Sequence, residues 1–260
     1  MKRFFLPFFL IFIFTLSFQG CTSKQTPTQN KSQDQSNDEF LDEFAQELQV
    51  EKKSDPLEGY NRVMTKFNDG LYEYVMYPVA KGYKNVTTQG VRDGVDNFFH
   101  NLMYPFRLVN NLLQGKLKNA LEETQRFLIN TTIGFFGIFD VAKSEFKIQP
   151  HNEDFGQTLG YWGVGSGPHI VLPFFGPSNL RDSFGSYADS TFDPTNPQNE
   201  IFENGLTTNY AQYVSMKFLQ QTNKTAQDIN AYHNLKKDAV DLYPYLRDIY
   251  EQYRQKQINE

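Results

Sequence analysis

Across residues 57–128 apolar side chains return every three or four positions. Yet nothing after the first 20 residues stays apolar for the ~18 residues that a membrane-crossing helix needs. The chain is therefore restricted to amphipathic helices, each of which must lay one face against a core, a partner or a lipid surface. The first stripe holds Leu57, Tyr60, Met64, Phe67 and Leu71. It follows a start signal in which Asp55 is the N-cap, Pro56 the first helical residue and Glu58 the third. A second helix is predicted over 88–102, with Val91, Val95, Phe98, Phe99 and Leu102 on one side, and a third over 106–114, between Pro105 and Gly115. The fourth pattern is the cleanest. Leu117, Ala120, Leu121, Thr124 and Leu128 line one face, Lys118, Asn119, Glu122, Glu123, Gln125 and Arg126 cover the other, and Gly134 stops it. Two more helices are predicted over 210–221 and 225–253, the latter kinked at Pro244.

The helical period breaks twice. Gly134-Phe135-Phe136-Gly137-Ile138-Phe139 is an apolar, glycine-punctuated loop. Left in water it would be a large greasy patch, so it belongs either in the protein core or in lipid. Farther on, Gly160, Gly163, Gly165 and Gly167 favour a turn or hairpin over a helix. Ile170-Val171-Leu172 then reads as a short extended segment closed by Pro173, and a short helix starts near Ser178. Aromatic residues make up 16% of the chain. Two accounts of them stay open: an aromatic-rich soluble core, or a surface at a membrane interface, where tyrosine is enriched.

The amino-terminal end has a different character. Lys2 and Arg3 precede an apolar run over residues 4–14, and the small Gly20 stands before Cys21, the sole cysteine. A basic start, a short apolar core and a small residue at the cut site make a secretory leader over residues 1–20. With Cys21 as the first mature residue, the pattern resembles a lipoprotein signal of Gram-negative bacteria, although Phe18 stands where an aliphatic residue is usual. The resemblance implies a diacylglycerol on the Cys21 thiol and an acyl chain on the new amino terminus, with no other cofactor. Thr22, in place of Asp, implies sorting to the outer membrane. Two or more acyl chains anchor stably where one does not. Residues 21–54 are rich in Gln, Ser, Asn, Thr, Lys and Asp and read as a disordered tether, though Phe40, Leu41, Phe44 and Leu48 fall at helical spacing.

Charge and motifs exclude several classes. The formal charge is −5, and removal of Lys2 and Arg3 leaves 23 basic against 30 acidic groups, or −7. A chain this acidic and without a basic run is poorly suited to nucleic acid. The histidines at 100, 151, 169 and 233 match no zinc pattern, and His151-Asn152-Glu153-Asp154 reads as a solvated loop. Gly163-Val164-Gly165-Ser166-Gly167 lacks the serine position of a nucleophile elbow, and it fits neither a dinucleotide fingerprint nor a phosphate loop. No catalytic set and no metal site emerges, so the expectation is a protein that is not an enzyme.

Several of these segments resemble the MlaA (VacJ) lipoproteins. They are Asp55-Pro56-Leu57-Glu58-Gly59-Tyr60-Asn61-Arg62 followed by Phe67-Asn68, then Phe127-Leu128-Ile129-Asn130-Thr131 with 134–142. The strongest is Phe155-Gly156-x-Thr158-Leu159-Gly160-x-x-Gly163-Val164-Gly165-x-Gly167-Pro168, then Leu172-Pro173-Phe174-Phe175-Gly176, Leu180-Arg181-Asp182 and Ala188-Asp189. Asp241, Tyr243, Arg247 and Tyr250 fit the family's ending. The likeness covers 55–254, leaves 255–260 as a polar tail, and departs over 195–223.

The resemblance implies a mainly α fold: a ring-like bundle of amphipathic helices with a short glycine-rich hairpin or loop, preceded by the disordered tether. It implies a lipid-anchored protein on the periplasmic side of the outer membrane. Phospholipids that have strayed into the outer leaflet would enter its amphipathic channel. Its partners would be phospholipid, a porin trimer and a soluble periplasmic lipid carrier. Gly163, Gly165 and Gly167 would form a gate hairpin beside the channel, or serve only to permit tight turns, and Phe67 and Asn68 would lie near the channel. The competing readings are a structural lipoprotein that scaffolds a porin and moves no lipid, and a lipid-remodelling enzyme.

Overall fold

A computed structural model describes residues 55–198 and 206–260. The leader, Cys21 and the tether lie outside the described residues. The first helix starts later than its signal predicts: α1 runs Glu58–Leu71 with Leu57 at its N-cap and no side-chain cap, while Asp55 and Pro56 form a turn ahead of it in which Asp55 Oδ1 accepts the Leu57 N–H at 3.1 Å. The helical course then continues through a π-helical segment, Tyr72–Met76, into α2, Tyr77–Val86. Thr88 caps α3, Gln89–Leu102, through the Val91 N–H. Pro105, expected to interrupt, lies inside the first turn of α4, Tyr104–Leu113, where its missing N–H has no intrahelical partner to lose. Gly115, at φ 72°, separates α4 from α5, Leu117–Thr132.

The short helices α6, Val141–Ser144, and α7, Phe155–Tyr161, follow, capped by Asp140 and Asp154. Strands β1, His169–Leu172, and β2, Gly176–Asn179, pair antiparallel, with His169 opposite Asn179 and Leu172 opposite Gly176. Asn179 caps α8, Leu180–Asp189. Then come α9, Tyr210–Gln227, α10, Ala231–Asp238, and α11, Leu242–Asn259. The single long helix expected over 225–253 is thus three pieces. Pro244 does not kink a helix; it stands in the first turn of α11, which Asp241 caps through the Tyr243 N–H. Residues 255–259 continue α11.

The packed pairs join into a circuit. From α1 it passes through the π segment to α2, then to α9, α3, α4, α7 and α11, and so back to α1. The hairpin packs against α1 and α11, and α8 lies along α7. Close approach of α7 and α8 rests on two glycines: a Cβ at Gly185 would come within 2.4 Å of the Gly156 nitrogen. The last helix is clasped to the first. Arg62 pairs with Asp241 at 2.7 Å, the Tyr243 hydroxyl donates to Asp55, and Asn61 Nδ2 donates to that hydroxyl at 3.1 Å.

Candidate functional site: a polar interior inside an apolar surface

The buried residues of the described body are chiefly polar. Among the described residues, the largest fully buried side chains are Glu123, Asn61, Asn110, Asn111, Asn179, Asn223 and Thr195. Helix α5 shows how this arises. Its inward positions are Ala120, Glu123, Arg126 and Asn130, while Leu117, Leu121 and Leu128 are 68%, 59% and 55% exposed. The two faces read from the sequence are redrawn: Glu123 and Arg126 turn in together with Ala120, and the leucines turn out together with Lys118 and Gln125. Helix α8 repeats this, burying Arg181 and Asp182 and exposing Leu180, Phe184 and Tyr187. So does α9, with Asn223 inside and Tyr210, Val214 and Phe218 outside. The loop at 134–139 joins the outer surface, with Phe135, Phe136 and Phe139 all exposed. An aromatic-rich soluble core is therefore the wrong account: of the described aromatics, only Phe99 and Tyr243 are buried.

Buried charge survives only when paired and hydrogen-bonded, and two networks meet that need. Glu123 accepts from Arg107 Nε at 2.8 Å and from the His151 N–H at 2.7 Å, with Arg126 at 3.7 Å. Burial lowers the Arg107 pKa, and the Glu123 carboxylate opposes that shift. Arg126 reaches onward to Asp140 at 2.8 Å. In the second network Arg254 bridges Asp154, at 2.7 and 2.8 Å, and Asp182, at 2.9 and 3.1 Å. Burial pushes the Asp182 carboxyl up, but bonds from Arg254, Arg181 and the Tyr250 hydroxyl outweigh it and hold the group down at about 2. The 151–154 segment is not a solvated loop. Glu153 is buried on Gln114 and Lys116, and Asp154 caps α7. Among the described residues, no group of three potential metal ligands converges.

Asn61 and Asn68, two turns apart on α1, hold the edge of β1 as a neighbouring strand would. Asn61 Nδ2 donates to the His169 carbonyl at 3.0 Å, and the Val171 N–H donates to Asn61 Oδ1 at 2.8 Å. Asn68 repeats the pair on the Leu172 carbonyl, at 2.9 Å, and the Phe174 N–H, at 2.8 Å. Phe174 sits at φ 69°, in the left-handed region that costs a bulky residue about 1–3 kcal/mol. Phe67 meets its ring edge-on at 5.4 Å. Phe67 and Asn68 thus fasten the hairpin tip. Asn68→Ala is expected to weaken the tip by roughly 1–3 kcal/mol, the worth of two hydrogen bonds. The measurement is amide exchange at Phe174, which should speed up while exchange at Glu123 stays slow.

Gly163, Gly165 and Gly167 are not in the hairpin, which forms six residues later at β1 and β2. They lie in the loop joining α7 to β1, with Gly163 at φ 85° and Gly167 at φ 68°. In β1 burial alternates from His169 on, with His169 and Val171 inward. The loop is fastened to the start of α8: Leu180 N donates to the Pro168 carbonyl and Arg181 N to the Ser166 carbonyl, both at 3.1 Å. A residue at Gly165 has no heavy atom within 4 Å of its Cβ position.

Buried charge and exposed apolar side chains define a helical protein with an apolar outer surface, and among its described helices none is long and apolar enough to cross a membrane. The chain belongs to the MlaA lipoprotein family, whose profile matches residues 53–257. It is 42% identical over 145 residues to the intermembrane phospholipid transport system lipoprotein MlaA of Shigella flexneri and, over the same length, to that of Escherichia coli K12. In each case the match covers 54% of this chain and 57% of the relative. The Haemophilus influenzae MlaA is 36% identical over 146 residues, covering 55% of this chain and 58% of its own. The chain thus spans little more than half the length of these curated relatives. A solved chain from work on the structural basis for maintenance of bacterial outer membrane lipid asymmetry superposes with a TM-score of 0.67 at 31% identity. It covers 80% of this chain and 100% of that one.

Proposed function

We propose that this protein is an outer-membrane lipoprotein that takes misplaced phospholipid from the outer leaflet through the polar interior of its helical circuit. It then passes the lipid to a soluble periplasmic carrier. The observation that carries this reading is the inverted polarity, with Glu123, Asn61 and Asn110 inside and Leu121, Phe136 and Phe184 outside. Such a surface is at rest against acyl chains, and the buried polar residues, bonded to one another, hold the helices around the route. Two acyl chains of ~30 methylenes would cost roughly 25 kcal/mol to expose to water, so a lipid needs a sheltered route. The route requires shape and polarity and no nucleophile. Cys21 is the lipid attachment point, and a porin trimer is the partner in the outer membrane.

The test is surface-exposed phospholipid in a strain lacking this protein with its porin intact. Accumulation is expected; unchanged asymmetry would instead mark a scaffold that moves no lipid. The loop at 163–167 is the moving part in this account. A Cβ at Gly165 meets open space, and Gly165→Pro, which stiffens the loop, should slow lipid retrieval severalfold without releasing the protein from membranes. Retrieval at the wild-type rate would remove the gate from the mechanism.

A further inference from the structure

A cavity of about 670 Å³ opens between α3 and residues 138–144, within the usual size range of small-molecule sites. Its α3 wall carries Gly90 and Gly94, one turn apart, so no side chain fills it from there. A Cβ at Gly94 would already press on Ile138 Cγ2 at 3.0 Å. The α3 wall carries the carboxylates of Asp93 and Asp96, the facing segment carries Asp140 and Lys143, and their existing partners separate them. Asp140 is committed to Arg126 and Asn130. Asp93 accepts from the Gln89 and Gln227 amides. Among the described residues, none bonds or pairs with the side chains of Asp96 and Lys143, both lining the cavity, although the Lys143 backbone N–H donates to Asp140 Oδ1 at 3.2 Å. Asp96 is reached by solvent yet walled by protein, and that partial desolvation raises its pKa, with Lys224 of α9 opposing and Asp93 reinforcing. Phe139, 61% exposed, adds an apolar surface at the same opening.

We infer that this cavity receives a phosphate ester bearing a primary ammonium, with Asp96 taking the ammonium and Lys143 the phosphate. This rests on the phospholipid reading above and adds a headgroup preference to it. An acidic patch would take a cation alone. Opposed, unpaired charges across a cavity match a ligand that carries both signs, and Phe139 suits the glycerol end of a lipid.

The experiment uses the full lipidated protein exchanged with vesicles of equal phosphatidylethanolamine and phosphatidylglycerol, followed by analysis of the retained lipid. The wild type should retain phosphatidylethanolamine about tenfold over phosphatidylglycerol, the worth of one charge-assisted bond. Asp96→Asn should return the ratio to that of the vesicles with total lipid unchanged, and Lys143→Gln should lower retention of both. Soluble glycerophosphoethanolamine separates the sources. If it displaces the lipid at matched concentration, the site reads the headgroup alone; if not, the site reads the headgroup on its lipid. An unchanged ratio in Asp96→Asn, with lipid still retained, would overturn the preference and leave transport standing. A wild type that retains no phospholipid would overturn both.

Discussion

Glu123→Ala is expected to destabilise the folded body by about 3–5 kcal/mol, the cost of leaving buried charge without its partner. Glu123 is wholly buried, and it lies against Arg107 and Arg126, whose side chains are 5% and 4% exposed. Removing it takes a carboxylate from two guanidinium groups and leaves the His151 N–H without its acceptor. Arg126 keeps Asp140, so the heavier loss falls on Arg107, whose other side-chain bond is to the His100 carbonyl. A chemical denaturation curve in mild detergent would show the shift. The comparison variant is Leu121→Ala, on the opposite face of α5. There the side chain is exposed, and a change of under ~0.5 kcal/mol is expected. In a soluble helical protein the two substitutions would rank the other way round.

The second large effect is on membrane affinity. Phe135→Asp combined with Phe136→Asp should reduce partition into vesicles by on the order of 10²–10⁴, because burying each phenylalanine is worth ~1.5–3 kcal/mol. Both positions have positive φ, at 52° and 57°, and aspartate visits that region more readily than most residues. The backbone therefore keeps its shape, and the loss reports lipid contact. Flotation with liposomes, in a Cys21→Ser background that removes the acyl anchor, reads the effect directly. Equal flotation of both forms would mean that this loop faces water.

Much of the fold was legible from short-range signals. Thr88 and Gly115 mark helix ends by their own chemistry, Asp55 marks the first start to within a turn, and Ile170-Val171-Leu172 falls in β1. The direction in which each helix faces was not. Leucines opposite Glu123 and Arg126 give the same periodicity whether the leucines meet a core or lipid, since a stripe fixes a face without saying what covers it. The hairpin clasp was also hidden. Asn61 and Asn68 find β1 more than 100 residues away, and an asparagine in a helix announces no partner. Asp182 and Arg254 were likewise invisible as a pair, 72 residues apart, although Asp182 lies within a segment that marked the family. The glycines at 163–167 signalled a turn correctly and its partner strands wrongly, because glycine reports permissive backbone and not pairing.

The central claim is that the outward stripes of α5, α8 and α9 lie in hydrocarbon. Spin labels at Leu121→Cys, Leu128→Cys, Phe184→Cys and Val214→Cys in bilayer-bound protein test it most directly. Collision with dissolved oxygen is predicted to exceed collision with a water-soluble nickel chelate at all four positions. If the four labels instead meet the nickel chelate as freely as a label in bulk water does, the apolar surface is not in lipid and the account fails.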